Sequence, residues 1–252
     1  MIDQAWFCEQ VALTNKLEFL KWAREVKQCE WDEWTINAAA DKGNLEMLKY
    51  CFSNECPCDE EMSHIQAAIN GHLDCLRLLF DKVEPSRKTE KDAAAHTGNL
   101  EMLKYCISNH CPCDEEASCK HAAIEGHLDC LRFLFDKVEP SRKTEVEAAG
   151  QATGAGHVEI LKYIVEERKI SDLAKFACAG NAAWNGQLDC LKYLVEEAKV
   201  PLDNTRYVSF ARYKEHHDCL NYVREKGCPE LTDEEYAKFA ISQRVKEYIG
   251  HH

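Results

Sequence analysis

The sequence lacks the features of a membrane-spanning, secreted or nucleic-acid-binding protein. No stretch of eighteen apolar residues occurs, and the opening MIDQAWFCEQ has neither the basic nor the apolar region of a secretory signal. Basic residues are scarce: 31 Lys and Arg are outnumbered by 44 Asp and Glu, which gives a formal net charge of −13. Phosphate backbones are bound by clustered cations and anionic lipid repels an acidic surface, so we expect neither nucleic-acid binding nor membrane insertion.

Signals for strands and for common catalytic sites are missing as well. No run of β-branched residues alternates with period two, so no strand is predicted. The motifs HExxH, GxSxG, GxxxxGK and GxGxxG are absent. Since repeats also account for almost the whole chain, we expect no enzyme activity and no cofactor.

Internal repetition is what the sequence has in abundance. The segment Gly71 to Glu90 returns as Gly126 to Glu145 with one change, Leu78 to Phe133. A shorter pattern recurs inside this block: Gly, polar, Leu, acidic, apolar, Leu, basic, apolar. It is anchored, at intervals of 27 to 30 residues, at Asn15, Gly43, Gly71, Gly98, Gly126, Gly156, Gly186 and Glu215. Such a period predicts a repeat architecture.

Each repeat predicts a short helix that ends at the anchor, then a second helix, then a loop. Small residues precede the anchor, as at Ala67 and Ala68, and leucines follow it at helical spacing, as at Leu73, Leu76 and Leu79. Glycine is typical where a helix ends in a left-handed turn. Helix starts are predicted at the capping residues Asp32, Asp59, Thr89 with Asp92, Thr144 with Glu147, and Thr232 with Glu235.

The predicted fold is an all-α array of about eight helix pairs with a C-terminal capping helix, in a single domain spanning 1–252. Residues 1–28 are assigned to an N-terminal capping repeat, 29–229 to the repeats and 230–252 to the capping helix. Tyr236, Phe239, Ala240, Val245 and Tyr248 are the candidates for the buried side of that helix. The repeated EPSRKTE, as at Glu139 to Glu145, is predicted to be a solvated loop that leads into a helix cap.

The motif Ala-Ala-x-x-Gly-His-Leu-Asp-Cys-Leu, at Ala67 to Leu76 and again at Ala122 to Leu131, resembles the ankyrin repeat. The resemblance covers nearly the whole chain, but the Thr-Pro-Leu-His opening is missing and the period is shorter than the usual 33 residues. The pattern is most similar to the short ankyrin-like repeats of algae, oomycetes and large DNA viruses. It implies an ankyrin-like helical solenoid that binds a protein partner on its concave side. It also implies that His72, His127 and His157 link neighbouring loops through hydrogen bonds.

The same resemblance implies which side chains contact the partner. In ankyrin arrays these are the two residues before the anchor, which here are Asp41, Lys42, Ile69, Asn70, His96, Thr97, Ile124, Glu125, Trp184, Asn185, Tyr213 and Lys214. Ile69, Ile124, Trp184 and Tyr213 stand out, because large apolar side chains at exposed positions are typical of interaction hot spots. The alternative is that the following repeat covers them and they belong to the core.

Cysteine use suggests a reducing compartment, the cytoplasm or the nucleus. The 15 cysteines are odd in number and recur at fixed repeat positions, as at Cys75, Cys130, Cys190 and Cys219, which favours packing over disulfides. The Cys-Pro-Cys loops allow a second interpretation, a thiolate metal site. Their candidate ligands are Cys51, Cys56, Cys58, Cys106, His110, Cys111 and Cys113. The sequence thus predicts a non-catalytic protein-interaction scaffold, with a metal-binding protein as the alternative.

Overall fold

The computed structural model of the protein describes residues 4–59, 62–82, 94–109 and 114–250. Every regular element in these ranges is a helix and none is a strand, which confirms the all-α prediction. The chain divides into two compact units. The N-terminal unit comprises Met1–Ala122 with Asp129–Lys137, and the C-terminal unit comprises Ala123–Leu128 with Val138–His252.

Over the described ranges, the helices follow the predicted order of paired first and second helices. The first five pairs comprise Gln4–Leu13, Leu17–Lys21 extended by the π-helical turn Trp22–Val26, Glu33–Asp41, Leu45–Ser53, Met62–Ile69, Leu73–Lys82, the helical residues 94–97, Leu100–Ser108, Glu115–Ile124 and Leu128–Val138. The remaining pairs and the last helix are Arg142–Ala155, Val158–Glu166, Asp172–Asn185, Leu188–Glu196, Arg206–Tyr213, His217–Glu225 and Asp233–Gly250.

The six anchor glycines adopt the left-handed turn predicted for glycine, with φ between 65° at Gly43 and 89° at Gly156, and Asn15 and Glu215 adopt it without being glycines. Asn15 tolerates this conformation through its short polar side chain. Glu215, at φ 61°, is neither a glycine nor a residue with a short polar side chain. Its left-handed conformation therefore costs roughly 1–2 kcal/mol. A second set of left-handed residues follows the second helices and was not predicted: Gln28, Glu55, Glu139, Lys169, Lys199 and Gly227.

Within each unit, helix pairs contact their neighbours in sequence. In the N-terminal unit, Glu33–Asp41 packs against both Gln4–Leu13 and Met62–Ile69, so first helices stack on first helices. The second helices stack in the same way in the C-terminal unit, where Leu188–Glu196 contacts both Val158–Glu166 and His217–Glu225. The predicted leucines fill the space between the two layers, and Leu76 and Leu131 are fully buried.

Side chains just after the anchors connect neighbouring pairs. Nε2 of His72 lies 3.0 Å from the carbonyl oxygen of Asp41, and Nε2 of His157 lies 2.7 Å from that of Ile124. The predicted linking role of these two rings is confirmed. His216 repeats the contact with Trp184 at 3.0 Å, although its repeat has lost the glycine.

A second series of connections joins the second helices and was not predicted. The hydroxyls of Tyr50, Tyr193 and Tyr222, each seven residues after an anchor, donate to Glu25, Glu166 and Glu196 of the preceding pair at 3.0 to 3.1 Å. Burial and then the glutamate hydrogen bond raise the pKa of all three tyrosines. The tyrosines therefore stay protonated and keep donating at physiological pH.

Two expectations about helix starts need correction. The capping residue of Arg142–Ala155 is Ser141, whose Oγ accepts from the backbone N–H of Thr144, so Thr144 is not the cap. Glu145 is not solvated: its side chain is 2% exposed and pairs with Arg142 and Arg168. The caps at Asp32, Asp59 and Thr232 are confirmed by their backbone hydrogen bonds. Thr89 and Asp92 lie outside the described residues.

The last helix packs on Arg206–Tyr213, where the ring of Phe239 lies 5.9 Å from that of Phe210. Tyr236, Phe239 and Ala240 are half-buried as expected, but Val245 and Tyr248 are exposed, which corrects their assignment to the buried side. In the part of the chain that the structure describes, no helix has both the length and the apolar character needed to cross a bilayer.

Candidate partner-binding surface

The predicted partner-contacting residues fall into two groups by exposure. Those that face solvent are Lys42, Ile69, Asn70, His96, Ile124, Glu125 and Asn185. Those that are half-buried are Asp41, Thr97, Trp184, Tyr213 and Lys214. Ile69 and Ile124 are thus large apolar side chains in solvent, which is the property expected of a hot spot.

The half-buried group at the C-terminal end forms one cluster. The rings of Trp184 and Tyr213 stack with centroids 5.6 Å apart, and Nζ of Lys214 lies 4.4 Å from the Trp184 ring. Glu247 of the last helix accepts from the Tyr213 hydroxyl at 2.9 Å and from Lys214 at 2.7 Å. Desolvation and this hydrogen bond raise the pKa of Tyr213. Trp184 and Tyr213 therefore hold each other and the last helix in place, in addition to any contact with a partner.

In the N-terminal unit the residues before the anchors are linked by a polar contact. The amide of Asn70 donates to the carboxylate of Asp41 at 3.0 Å, and Lys42 pairs with the other oxygen of Asp41 at 2.8 Å. This contact joins the ends of two adjacent first helices. The side chain of Asp41 nevertheless remains 28% exposed to solvent.

A groove crosses the first helices of the N-terminal unit. This N-terminal groove has a volume of about 260 Å³. Its lining residues are Glu9, Leu13, Trp34, Asn37, Ala38, Asp41, Met62 and Gln66. Two carboxylates, a tryptophan and two amides therefore share one concave surface, whose described lining contains no cationic residue.

The C-terminal unit has its own groove over first helices, with a volume of about 510 Å³. This C-terminal groove is lined by Val146, Gly150, Ala174, Phe176, Ala177, Cys178, Gly180, Asn181, Trp184, Arg206, Phe210 and Gln243. The lining is largely apolar and aromatic, and Arg206 is its one charged member among the described residues. A Cβ added at Gly150 would meet nothing within 4 Å, so the groove is open above this glycine.

Both grooves use the same repeat positions, and most of these were missed from the sequence. In the helix Glu33–Asp41, lining residues lie three, four and seven positions before the predicted contact residue, as Ala38, Asn37 and Trp34 lie before Asp41. The same holds for Asn181, Gly180 and Ala177 before Trp184. These intervals define one face of an α-helix. Counting back along that face from the predicted pairs would have found them.

The cysteine loops show no metal geometry where they are described. Cys51 is fully buried, and the thiol of Cys56 donates to the carbonyl oxygen of Asp32 at 3.4 Å. The Cys56 contact with Cys51 and burial raise the pKa of Cys56, which disfavours the thiolate that a metal needs. Within the described ranges no three Cys, His, Asp or Glu side chains are placed to hold an ion. His110, Cys111 and Cys113 lie outside those ranges.

The cysteines of the second helices are buried, as predicted for packing side chains. Burial raises the pKa of Cys75 and Cys130 to about 11 and that of Cys190 to about 12. Such thiols are neutral at physiological pH and are poor nucleophiles.

Comparison with known proteins assigns no family to this chain. No family model matches the sequence, and no curated protein matches it significantly.

Proposed function

We propose that the protein is a non-catalytic scaffold of ankyrin-like repeats that binds a protein partner along the exposed face of its first helices. One observation carries this proposal: grooves open in both units over the same positions of the repeat. The helix pair and its anchor turn are repeated, while the side chains that line the grooves differ from repeat to repeat. A fixed frame with varied surface residues is how repeat proteins build selective binding surfaces.

The composition of the grooves supports a protein as the ligand. Trp34 and Met62 in the N-terminal groove, and Trp184 and Phe210 in the C-terminal groove, belong to residue types that are enriched in protein interfaces. The exposed Ile69 and Ile124 extend the apolar surface beyond the grooves.

A large side chain introduced at Gly150 would fill the C-terminal groove without a clash and so tests whether the groove binds a partner. A Gly150→Arg side chain would occupy the open space above the helix, and replacing a helical glycine favours the helix. Gln151→Arg is the matched control, because it places the same charge on the adjacent exposed position, and Gln151 does not line the groove.

The measurement is affinity purification of the wild type and both variants, followed by quantitative mass spectrometry. We expect at least one protein to be retained by the wild type and by Gln151→Arg but lost from Gly150→Arg. Equal retention of every bound protein by the two variants would contradict the proposed surface.

A further inference from the structure

A buried amide oxygen that has no hydrogen-bond partner among the described residues belongs to the lining of the N-terminal groove. Asn37 is only 5% exposed and lines the groove, and its Oδ1 is enclosed and accepts no hydrogen bond in the described part of the chain. Buried polar groups are almost always paired, because an unpaired acceptor has lost its water without compensation. A carboxamide that turns about its last bond exchanges oxygen and nitrogen, so this acceptor can face the groove.

The residues around Asn37 add negative charge and an aromatic face. Trp34 and Asp41 lie three residues before and four residues after it on the same helix, and the Trp34 side chain is 50% exposed. Glu9, on the neighbouring first helix, makes no ion pair or hydrogen bond within the described ranges. Among the described residues, the groove thus offers an amide oxygen and a carboxylate that have no partner, together with a π surface.

This combination fits a guanidinium group. We propose that the N-terminal groove binds an arginine side chain of the partner, an inference that rests on the proposed function. The planar cation would donate hydrogen bonds to Asn37 and Glu9 and stack on Trp34. Arginine suits this arrangement better than lysine, since its five N–H donors lie in one plane that also stacks on aromatic rings. The net charge of −13 also favours a cationic partner.

The direct test needs no partner. The full chain, labelled with ¹⁵N, is titrated with Nα-acetyl-arginine methylamide, and with the corresponding citrulline and lysine compounds, at fixed ionic strength. We expect saturable shifts of the Trp34 indole N–H and the Asn37 side-chain amide with the arginine probe, weakened by salt. Citrulline keeps the shape but lacks the charge, so equal shifts with citrulline would overturn the proposal, as would equal affinity for lysine.

Variants separate a binding role from a structural one. Glu9→Gln should weaken arginine binding about tenfold, and Asn37→Asp should strengthen it because a third carboxylate, in addition to Glu9 and Asp41, then lines the groove. Glu46→Gln is the control for Glu9→Gln, because Glu46 is exposed and does not line the groove, and it should leave the affinity unchanged. If neither Glu9→Gln nor Asn37→Asp changes the affinity, the arginine is not bound at this site.

The two proposals fail in distinguishable ways. If Gly150→Arg and Gln151→Arg retain the same proteins while the arginine titration saturates at Trp34, the proposed binding surface of the C-terminal unit is wrong and the arginine site stands. If a partner is lost from Gly150→Arg but no probe shifts Trp34, only the arginine assignment is wrong.

Discussion

Arg168 donates to one carboxylate oxygen of Glu145 from both Nε and Nη2, at 2.8 and 2.7 Å, and so holds a nearly inaccessible charge between two repeats. Arg142 binds the other oxygen at 2.7 Å and also donates to the backbone carbonyl of Arg168. Both carboxylate oxygens of Glu145 therefore accept hydrogen bonds from an arginine.

The first prediction concerns this buried charge. Arg168→Ala removes two charged hydrogen bonds from the buried carboxylate of Glu145 but leaves its pair with Arg142, so the free energy of unfolding should fall by about 1.5–3 kcal/mol. Lys162→Ala is the control: Lys162 pairs with Glu159, which is mostly exposed, and its loss should cost under about 1 kcal/mol. Urea unfolding followed by circular dichroism measures both, and equal losses would contradict the importance of burial.

The second prediction concerns the anchor glycines. A Cβ at Gly43 would clash with the ring of His72, with Nδ1 as its nearest atom, in addition to the strain of φ 65°. Gly227 has φ 78° but would meet nothing within 4 Å, so Gly227→Ala isolates the backbone strain. We expect Gly227→Ala to cost about 1 kcal/mol and Gly43→Ala to cost more, since the His72 hydrogen bond is also lost. Melting temperatures that fall equally would show that the ring moves aside freely.

The third prediction concerns the core leucines. Leu131 is fully buried, and Leu131→Ala should lower the free energy of unfolding by about 2–5 kcal/mol. Leu173, at 79% exposure, provides the same substitution without burial, and Leu173→Ala should change it by less than about 0.5 kcal/mol. Chemical denaturation measures the free energy of unfolding of both variants. A loss at Leu173→Ala as large as that at Leu131→Ala would contradict the role of burial.

The fourth prediction is a pH dependence. The folded chain raises the pKa of the Cys190 thiol from 9.0 to about 12, so above pH 9 the unfolded chain releases a proton that the folded chain keeps. The unfolded state then binds fewer protons, and the free energy of unfolding should fall as pH rises from about 9 towards 12. Cys190→Ala should show a shallower fall than the wild type in urea unfolding at several pH values. Identical slopes would mean that Cys190 is not protected from ionisation.

The parts of the fold that depend on local sequence could be predicted. The leucines spaced along Leu73 to Leu79 and the glycine at Gly71 set the helices and the left-handed turn through contacts within one repeat. The burial of Glu145 could not be predicted in this way, because its partner Arg168 follows 23 residues later and only packing brings the two together.

The candidate site was predictable in part for the same reason. The positions of Asp41 and Trp184 follow from the repeat itself, whereas the stacking of Trp184 on Tyr213 depends on how adjacent repeats pack. The unpaired oxygen of Asn37 had no signal in the sequence, since an asparagine in a helix gives no indication of what surrounds its side chain.

The left-handed backbone at Glu215 bears on how the molecule moves. Its strain lies in the last helix pair, which packs on one repeat and on the helix Asp233–Gly250. Local opening begins where neighbouring contacts are fewest and where the closed state already carries strain. Amide hydrogens of His217–Glu225 should then exchange faster than those of Leu188–Glu196, and limited proteolysis of the C-terminal unit should begin on the C-terminal side of Glu215.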